Sequence, residues 1–183
     1  MHPYAAQSTV RLGNPAGKIK QKEDKMRRSD KQITDRKEIA EVITKCQVCR
    51  VGLAKENQPY IVPVSFGYDG KAIYFHSATQ GAKNDYIRAN NRVCFEFEHG
   101  VKIQSHDDQP CNWSFSFQSV IGFGSVAEIV SDEDKIRGLQ CIMAQYSNKK
   151  WDFDNIPLTG VAVWKITIES MTGKQSKDFF DGL

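Results

Sequence analysis

The feature that most constrains this chain is the run WSFSFQSVIGFGSVAEIV, residues 113–130. It reads as one strand. Its length exceeds that of an ordinary straight strand. Gly122 and Gly124 fall inside it, and glycine within a strand marks a bulge or a bend where a sheet turns a corner. A chain with such a strand has to curl the sheet that contains it.

The neighbouring segments supply partners for that strand. VCRVGLA (48–54) reads as a first strand, KENQP (55–59) as a turn, and YIVPVSFGY (60–68) as a second strand. Asp69-Gly70 is a hairpin signal, and KAIYFHS (71–77) is the returning strand. RVCFEFEHG (92–100) alternates, with Val93, Phe95 and Phe97 on one face, and VAVWKITIESMTG (161–173) is the last strand. Residues 101–111 are polar, contain Pro110 and read as a loop. Three segments switch to a helical period. The first is 35–46, where Asp35 and Glu38 form a capping-box pattern ahead of Ile39, Val42, Ile43 and Cys46. The second is 81–90, with Tyr86, Ile87 and Ala89 available for burial; the third, 132–147, follows Ser131 and carries Ile136, Leu139, Ile142, Met143 and Tyr146. This pattern predicts a mainly β protein with flanking helices. Its six antiparallel strands close into a barrel in one domain, residues 34–176, between tails at 1–33 and 177–183.

Composition narrows the function classes. The chain has 183 residues, 40% of them hydrophobic, enough for one core plus a buried interface. No apolar run approaches membrane-spanning length, and the opening residues lack a secretory pattern, so the expected location is the cytoplasm and no membrane partner is expected. The net charge is +3, but residues 1–33 hold eight Lys/Arg against three Asp/Glu, leaving seventeen against nineteen for the rest. The basic tail reads as a solvated, flexible arm. A nucleic-acid arm would show aromatic interleaving, which is missing, and an arm crossing onto a second subunit is the third reading. Met26 is a candidate alternative start. Five cysteines, an odd number, argue against a disulfide framework. Cys46 and Cys49 form a CxxC that follows a helix rather than starting one, so it reads as a pair of reduced structural thiols. No spacing among the cysteines or His2, His99 and His106 suits a metal.

Chemistry concentrates in His76-Ser77-Ala78-Thr79-Gln80-Gly81-Ala82-Lys83, where a strand passes into a helix. Hydroxyls of Ser77 and Thr79, the flexible Gly81 backbone, the free N–H groups of a helix start and the Lys83 ammonium suit a phosphate. An ordinary capped turn with a surface lysine has the same composition. In IVPVSF, Pro63 removes a ladder donor. That reads either as an edge strand or bulge, or as free backbone groups for the polar edge of a flat ring.

Four motifs in this order, PYIVPVSFGYDGKAIYFHSA, GAKNDYIRANNRVCFEFE, FQSVIGFGSVAEI and ITIESMTGK, cover the chain from about residue 35 to 176. Together they resemble the FMN-binding split barrel family, in its pyridoxamine 5'-phosphate oxidase-like group and the 5-nitroimidazole resistance (Nim-type) branch of that group. The resemblance implies a homodimer with FMN at the subunit interface. By the same resemblance, Val62, Pro63, Val64 and Ser65 lie along the isoalloxazine, and His76, Ser77 and Ala78 run from the ring towards the phosphate. Lys83 binds the phosphate. Gln118, Ser119 and Val120 approach from the facing subunit, with Trp113 and Trp164 as weaker ring contacts. His76 is the candidate catalytic residue, supplying a hydrogen bond or a proton beside the flavin. True pyridoxamine-phosphate oxidases carry an Arg-x-His substrate motif after the tryptophan strand; here that region reads MTGKQSKDFFDGL, without either residue. The expected function is therefore an FMN-dependent oxidoreductase that reduces a small flat acceptor such as a nitroaromatic, with NADH or NADPH as donor. The alternative is a non-catalytic flavin- or haem-binding sensor, store or carrier. Nucleic-acid binding is the weakest reading.

Overall fold

The computed structural model describes residues 28–153 and 156–179. Expectations for residues 1–27, the basic segment and Met26 included, lie outside the described residues, as do those for 180–183. The elements run β1 (Gln32–Ile33), α1 (Arg36–Lys45), β2 (Cys49–Lys55), β3 (Gln58–Val64), β4 (Phe66–Tyr68), β5 (Ala72–Ala78), α2 (Ala82–Ala89), β6 (Arg92–Gln104), β7 (Ser114–Ile129), α3 (Asp132–Tyr146) and β8 (Val161–Gln175). All strands join one antiparallel sheet in the order β3-β2-β6-β7-β8-β5-β4, with β1 paired to β8.

The expected six strands are eight among the described residues. The segment 60–68 breaks at Ser65 into β3, which pairs with β2, and β4, which pairs with β5. The two-residue β1 lies at the end of the segment read as tail and buries Ile33 against the core. The end strands of the sheet, β3 and β4, are thus consecutive in the chain and separated only by Ser65. Among the described residues no ladder joins them, and the barrel is closed there by the backbone itself. A further correction concerns 101–111: β6 continues through Gln104 and pairs with the start of β7, after an irregularity between His99 and Lys102. The irregularity shifts the phase of β6, so Val101 and Ile103 are exposed rather than buried with Val93, Phe95 and Phe97.

Local chemistry accounts for the turns and caps. Asp69 Oδ1 accepts from the N–H groups of Lys71 and Ala72, and Gly70 takes φ +87° in the β4–β5 hairpin. Glu56 and Asn57 both take positive φ between β2 and β3, the conformation of a two-residue hairpin loop. The Asp35 carboxylate caps α1 at Lys37 N–H, and the Ser131 hydroxyl caps α3 at Asp134 N–H. The bend expected in 113–130 is present: the β7–β8 register shifts between Phe123 and Gly124. Gly122 is required there, since a Cβ would lie 2.2 Å from Phe95 Cζ.

Inward residues of the strands and one face of α1 form a single core that includes Ile39, Val42, Ile43, Val51, Phe66, Phe75, Phe95, Phe97, Val120 and Trp164. Cys46 and Cys49 are buried in it; burial pushes the Cys46 thiol up to about 12 and Cys49 higher still, the opposite of what a redox pair needs. The helix α3 lies on the outer face. It sits so close to β4 that a Cβ on Gly67 would lie 2.4 Å from the Cys141 carbonyl carbon. No helix of the described residues is long and apolar enough to cross a membrane.

Candidate flavin site

The corner where β5 passes into α2 is built by a chain of hydrogen bonds. Asn84, only 1% exposed, sends its amide N–H to Ala78 O (2.7 Å), and its Oδ1 lies 3.0 Å from the Ser77 hydroxyl. Ser77 Oγ also accepts from the Trp164 indole N–H at 3.0 Å. Trp164 in turn stacks on Phe75 inside the barrel. The single Ser77 proton faces two acceptors, Ala78 O and Asn84 Oδ1, so the hydroxyl ties the strand end to the helix start. This fixes the loop 78–81, and Gly81 takes φ +129° with open space where a Cβ would stand.

That loop presents an unusual helix start. Unlike α1 and α3, α2 has no side-chain cap. Its first-turn N–H groups, Ala82 and Lys83, are the orphan donors of a helix N-terminus, where the dipole favours an anion. The Lys83 ammonium lies 5.6 Å over the Phe75 ring, and burial holds its pKa below the usual lysine range. His76 is exposed at the adjacent position of β5. Burial first, and the Lys83 charge second, hold its imidazole below the ordinary histidine value. An anion in this corner would relieve both shifts.

The strand next to the corner contributes backbone. Val62 and Val64 point into the core, while Pro63 and Ser65 are exposed. Phe66, which follows Ser65, pairs with Phe75, which precedes His76. Because β3 ends the sheet, one of its edges is free. The uncapped α2 start with Lys83 and the free edge beside Ser65 fit, respectively, the phosphate and the polar ring edge of a flavin mononucleotide.

The other expected residues lie elsewhere in the single chain. Through the ladders, His76 is level with Val163 and Ile129, whereas Gln118 pairs with His99 and Gln175. From Gln118 to Ile129 along β7 is on the order of 36 Å at the usual strand rise. Gln118 is buried; its amide N–H bonds to Gln175, while its Oε1 is a buried acceptor without a hydrogen-bond partner. Ser119 is half-buried and Val120 fully buried. Trp113 is 55% exposed beside this end, its indole N–H tied to His106 O. Trp164 reaches the corner only from beneath, through Ser77. Within one chain the structure therefore brings together Ser65, His76, Ser77, Ala78 and Lys83. It leaves Trp113 and Gln118–Val120 at the far end of the sheet. Two concavities, about 410 Å³ beside β1 and α1 and about 480 Å³ at the end of α3, contain none of the expected residues. Asn84 escaped sequence reasoning; a polar residue in the first turn of a short helix gives no signal of burial. No group of three His, Cys, Asp or Glu that could hold a metal occurs among the described residues.

Residues 35–175 match the model of the pyridoxamine 5'-phosphate oxidase family. The chain belongs to that family. A candidate 5-nitroimidazole antibiotic resistance protein of Bacteroides thetaiotaomicron shares 33% identity, with a TM-score of 0.69 over 78% of this chain and 85% of that one. The FAD- and haem-binding protein of Mycobacterium smegmatis superposes with a TM-score of 0.70 at 17% identity, over 84% and 77% of the two chains. An FAD-binding protein of Mesorhizobium loti gives 0.58 at 23% identity, over 80% and 97%. These last two likenesses concern the fold alone. An uncharacterized protein of Rhizobium meliloti is 29% identical over 65 residues, 36% of this chain and 42% of its own length.

Proposed function

We propose that this member of the family is an FMN-dependent oxidoreductase, active as a homodimer, that reduces small flat acceptors such as nitroaromatics with NADH or NADPH as donor. The observation that carries the flavin reading is the uncapped start of α2, with Lys83 and the open Gly81 backbone, held beside His76 by buried Asn84. Lys83 and the α2 N–H groups would hold the phosphate, and the free edge of β3 from Val62 to Ser65 would meet the ring. When bound, the flavin supplies the electron or hydride transfer. His76, exposed and with its pKa lowered, is neutral at neutral pH, and can therefore hold an acceptor by a hydrogen bond or carry one proton at an imidazole nitrogen. The nitroaromatic part rests on the likeness to the Bacteroides protein.

The homodimer rests on two observations. Gln118–Val120 are too far along β7 to meet His76 of the same chain. The outer face between them is open and partly apolar: Ile61, Gly52, Cys94, Phe123 and Ser170 form one row across five strands, with Ile61 68% and Phe123 51% exposed. The next row holds Pro63 and Ile121 with the Arg50–Glu96 ion pair between them. Exposed Ile61, Ile121 and Phe123 around an ion pair give this face the mixed apolar and polar make-up of an interface, and a two-fold axis through it would carry each far end towards the other chain's corner.

Titration of the purified protein with FMN, FAD and riboflavin, followed by visible absorption and fluorescence, tests the proposal. FMN uptake that Lys83→Ala weakens about tenfold or more, with riboflavin binding little changed, is the expected result. Failure to take up any flavin overturns it, and a Soret band in its place favours the haem-binding alternative that the same fold serves in the mycobacterial protein. Bound flavin without turnover of NADH or NADPH across a panel of nitroaromatics favours a carrier or sensor.

A further inference from the structure

The last turn of α3 reaches the one point where the barrel is closed by the backbone alone. The Tyr146 hydroxyl accepts from Phe66 N–H at 2.8 Å and donates to Gln47 O at 2.9 Å. Burial pushes this phenol up, opposed by its bond to the Phe66 N–H. Phe66 pairs with Phe75 on one side and faces the free edge of β4 on the other. Tyr146 thus covers, from a helix, a backbone donor that a continuous sheet would have paired with a neighbouring strand.

The helix that carries this hydroxyl has little freedom to shift. Besides its close seat on Gly67, a Cβ on Gly138 would lie 2.9 Å from Val163 Cγ1 and 3.4 Å from Tyr74 Cδ1. Val163 is the cross-strand partner of His76. α3 therefore lies on the same outer face of β5 and β8 as His76 and ends beside the β3–β4 gap. The residue before it, Gln145, offers a natural comparison. Its amide donates to Thr44 O and Cys46 O, both at 2.9 Å. Both side chains pin the end of α3 to the connection between α1 and β2, but that of Tyr146 also accepts from the Phe66 amide.

We propose that Tyr146 is a positioning residue of the flavin site: by holding the Phe66 amide it sets the width and polarity of the β3–β4 gap that receives the ring edge. The inference rests on the flavin reading above. An oriented edge matters because hydrogen bonds to the ring tune its electronics as well as its affinity.

The test compares Tyr146→Phe with Gln145→Leu in the full chain. It uses thermal midpoint, FMN dissociation constant, midpoint potential of the bound flavin, and kcat and KM for a nitroaromatic. Both variants lose anchoring bonds of α3 and are expected to lower the thermal midpoint. Only Tyr146→Phe is expected to weaken FMN, by three- to tenfold, to shift the flavin potential and to lower kcat at unchanged acceptor KM. Unchanged FMN affinity and potential in Tyr146→Phe overturn the proposal, as do equal changes in both variants, which would make α3 a packing element only. If Tyr146→Phe does not fold, Ser65→Ala carries the test: it is expected to shift the potential in the same direction, and no shift overturns the proposal. Wild-type protein that takes up no flavin overturns the flavin reading itself. Wild-type uptake with an indifferent Tyr146→Phe overturns the positioning role alone.

Discussion

At one end of the sheet, the β5–α2 corner is polar and its hydrogen bonds close on one another: Trp164 to Ser77, Ser77 to Asn84, Asn84 to Ala78. At the other end, the start of β7 and the end of β6 turn Trp113, Phe115 and Ile103 towards solvent, above a buried Gln118 acceptor that nothing satisfies. The first region is preorganised, since its polar atoms need no rearrangement to present a helix start to an anion. The second has the composition of a surface awaiting a cover. Each holds part of the expected flavin contacts and neither holds all of them; the proposed homodimer would bring the two halves together.

The largest effect is expected where β7 joins the two ends. Gly122→Val places side-chain carbon where Phe95 Cζ and Ser170 O lie 2.2 and 2.7 Å from an ideal Cβ. It is expected to cost about 3 kcal/mol or more in urea unfolding; a variant of normal stability would mean that the ends are not rigidly connected. Next comes Phe123→Glu, on the open row. It is expected to leave the monomer's far-ultraviolet circular dichroism unchanged and to weaken self-association roughly thirtyfold or more in sedimentation. A chain that sediments identically with and without this change would remove the two-chain explanation.

A third pair compares the ends directly. Asn84→Ala strips a satisfied buried network and is expected to lower stability by about 1–3 kcal/mol, together with FMN affinity. Gln118→Leu loses one bond but also removes an unsatisfied buried acceptor, and is expected to cost less than about 1 kcal/mol. Equal costs in thermal unfolding would erase the contrast. The smallest effect is electrostatic. His76 is held below its free value, so the folded chain binds fewer protons there than the unfolded chain. Its contribution to stability is present above the free histidine value and is lost as pH falls from there through the folded value. Lys83→Ala removes the second cause and is expected to move the His76 titration upward in NMR, and saturating phosphate is expected to do the same. A downward movement would contradict the proposed proximity of the two side chains.

What sequence reading caught was local. The Asp69-Gly70 turn, the alternation of Val93, Phe95 and Phe97, and the caps at Asp35 and Ser131 are each fixed by residues within a few positions of one another. What it missed depends on pairing at a distance. YIVPVSFGY reads as one strand because nothing local marks Ser65; the break exists because β3 and β4 choose different neighbours. Gln32 and Ile33 become a strand only through Gly173 and Lys174. Tyr146 fits the helical period as one more apolar residue, yet it stands out for the bonds its hydroxyl makes to Phe66 and Gln47. The candidate site was legible where one segment carries it, His76 to Lys83. The burial of Asn84 and the remoteness of Gln118 were not.

The closure at Ser65 also bears on how this protein survives at high concentration. Two strands whose outer edges lack partners are templates onto which a stray extended chain can add. In β3 that edge carries Pro63, a residue that offers no N–H to an incoming strand and is tolerated in sheets chiefly where the edge is open. The proline that looks like an interruption in the sequence thus serves as a guard against aggregation.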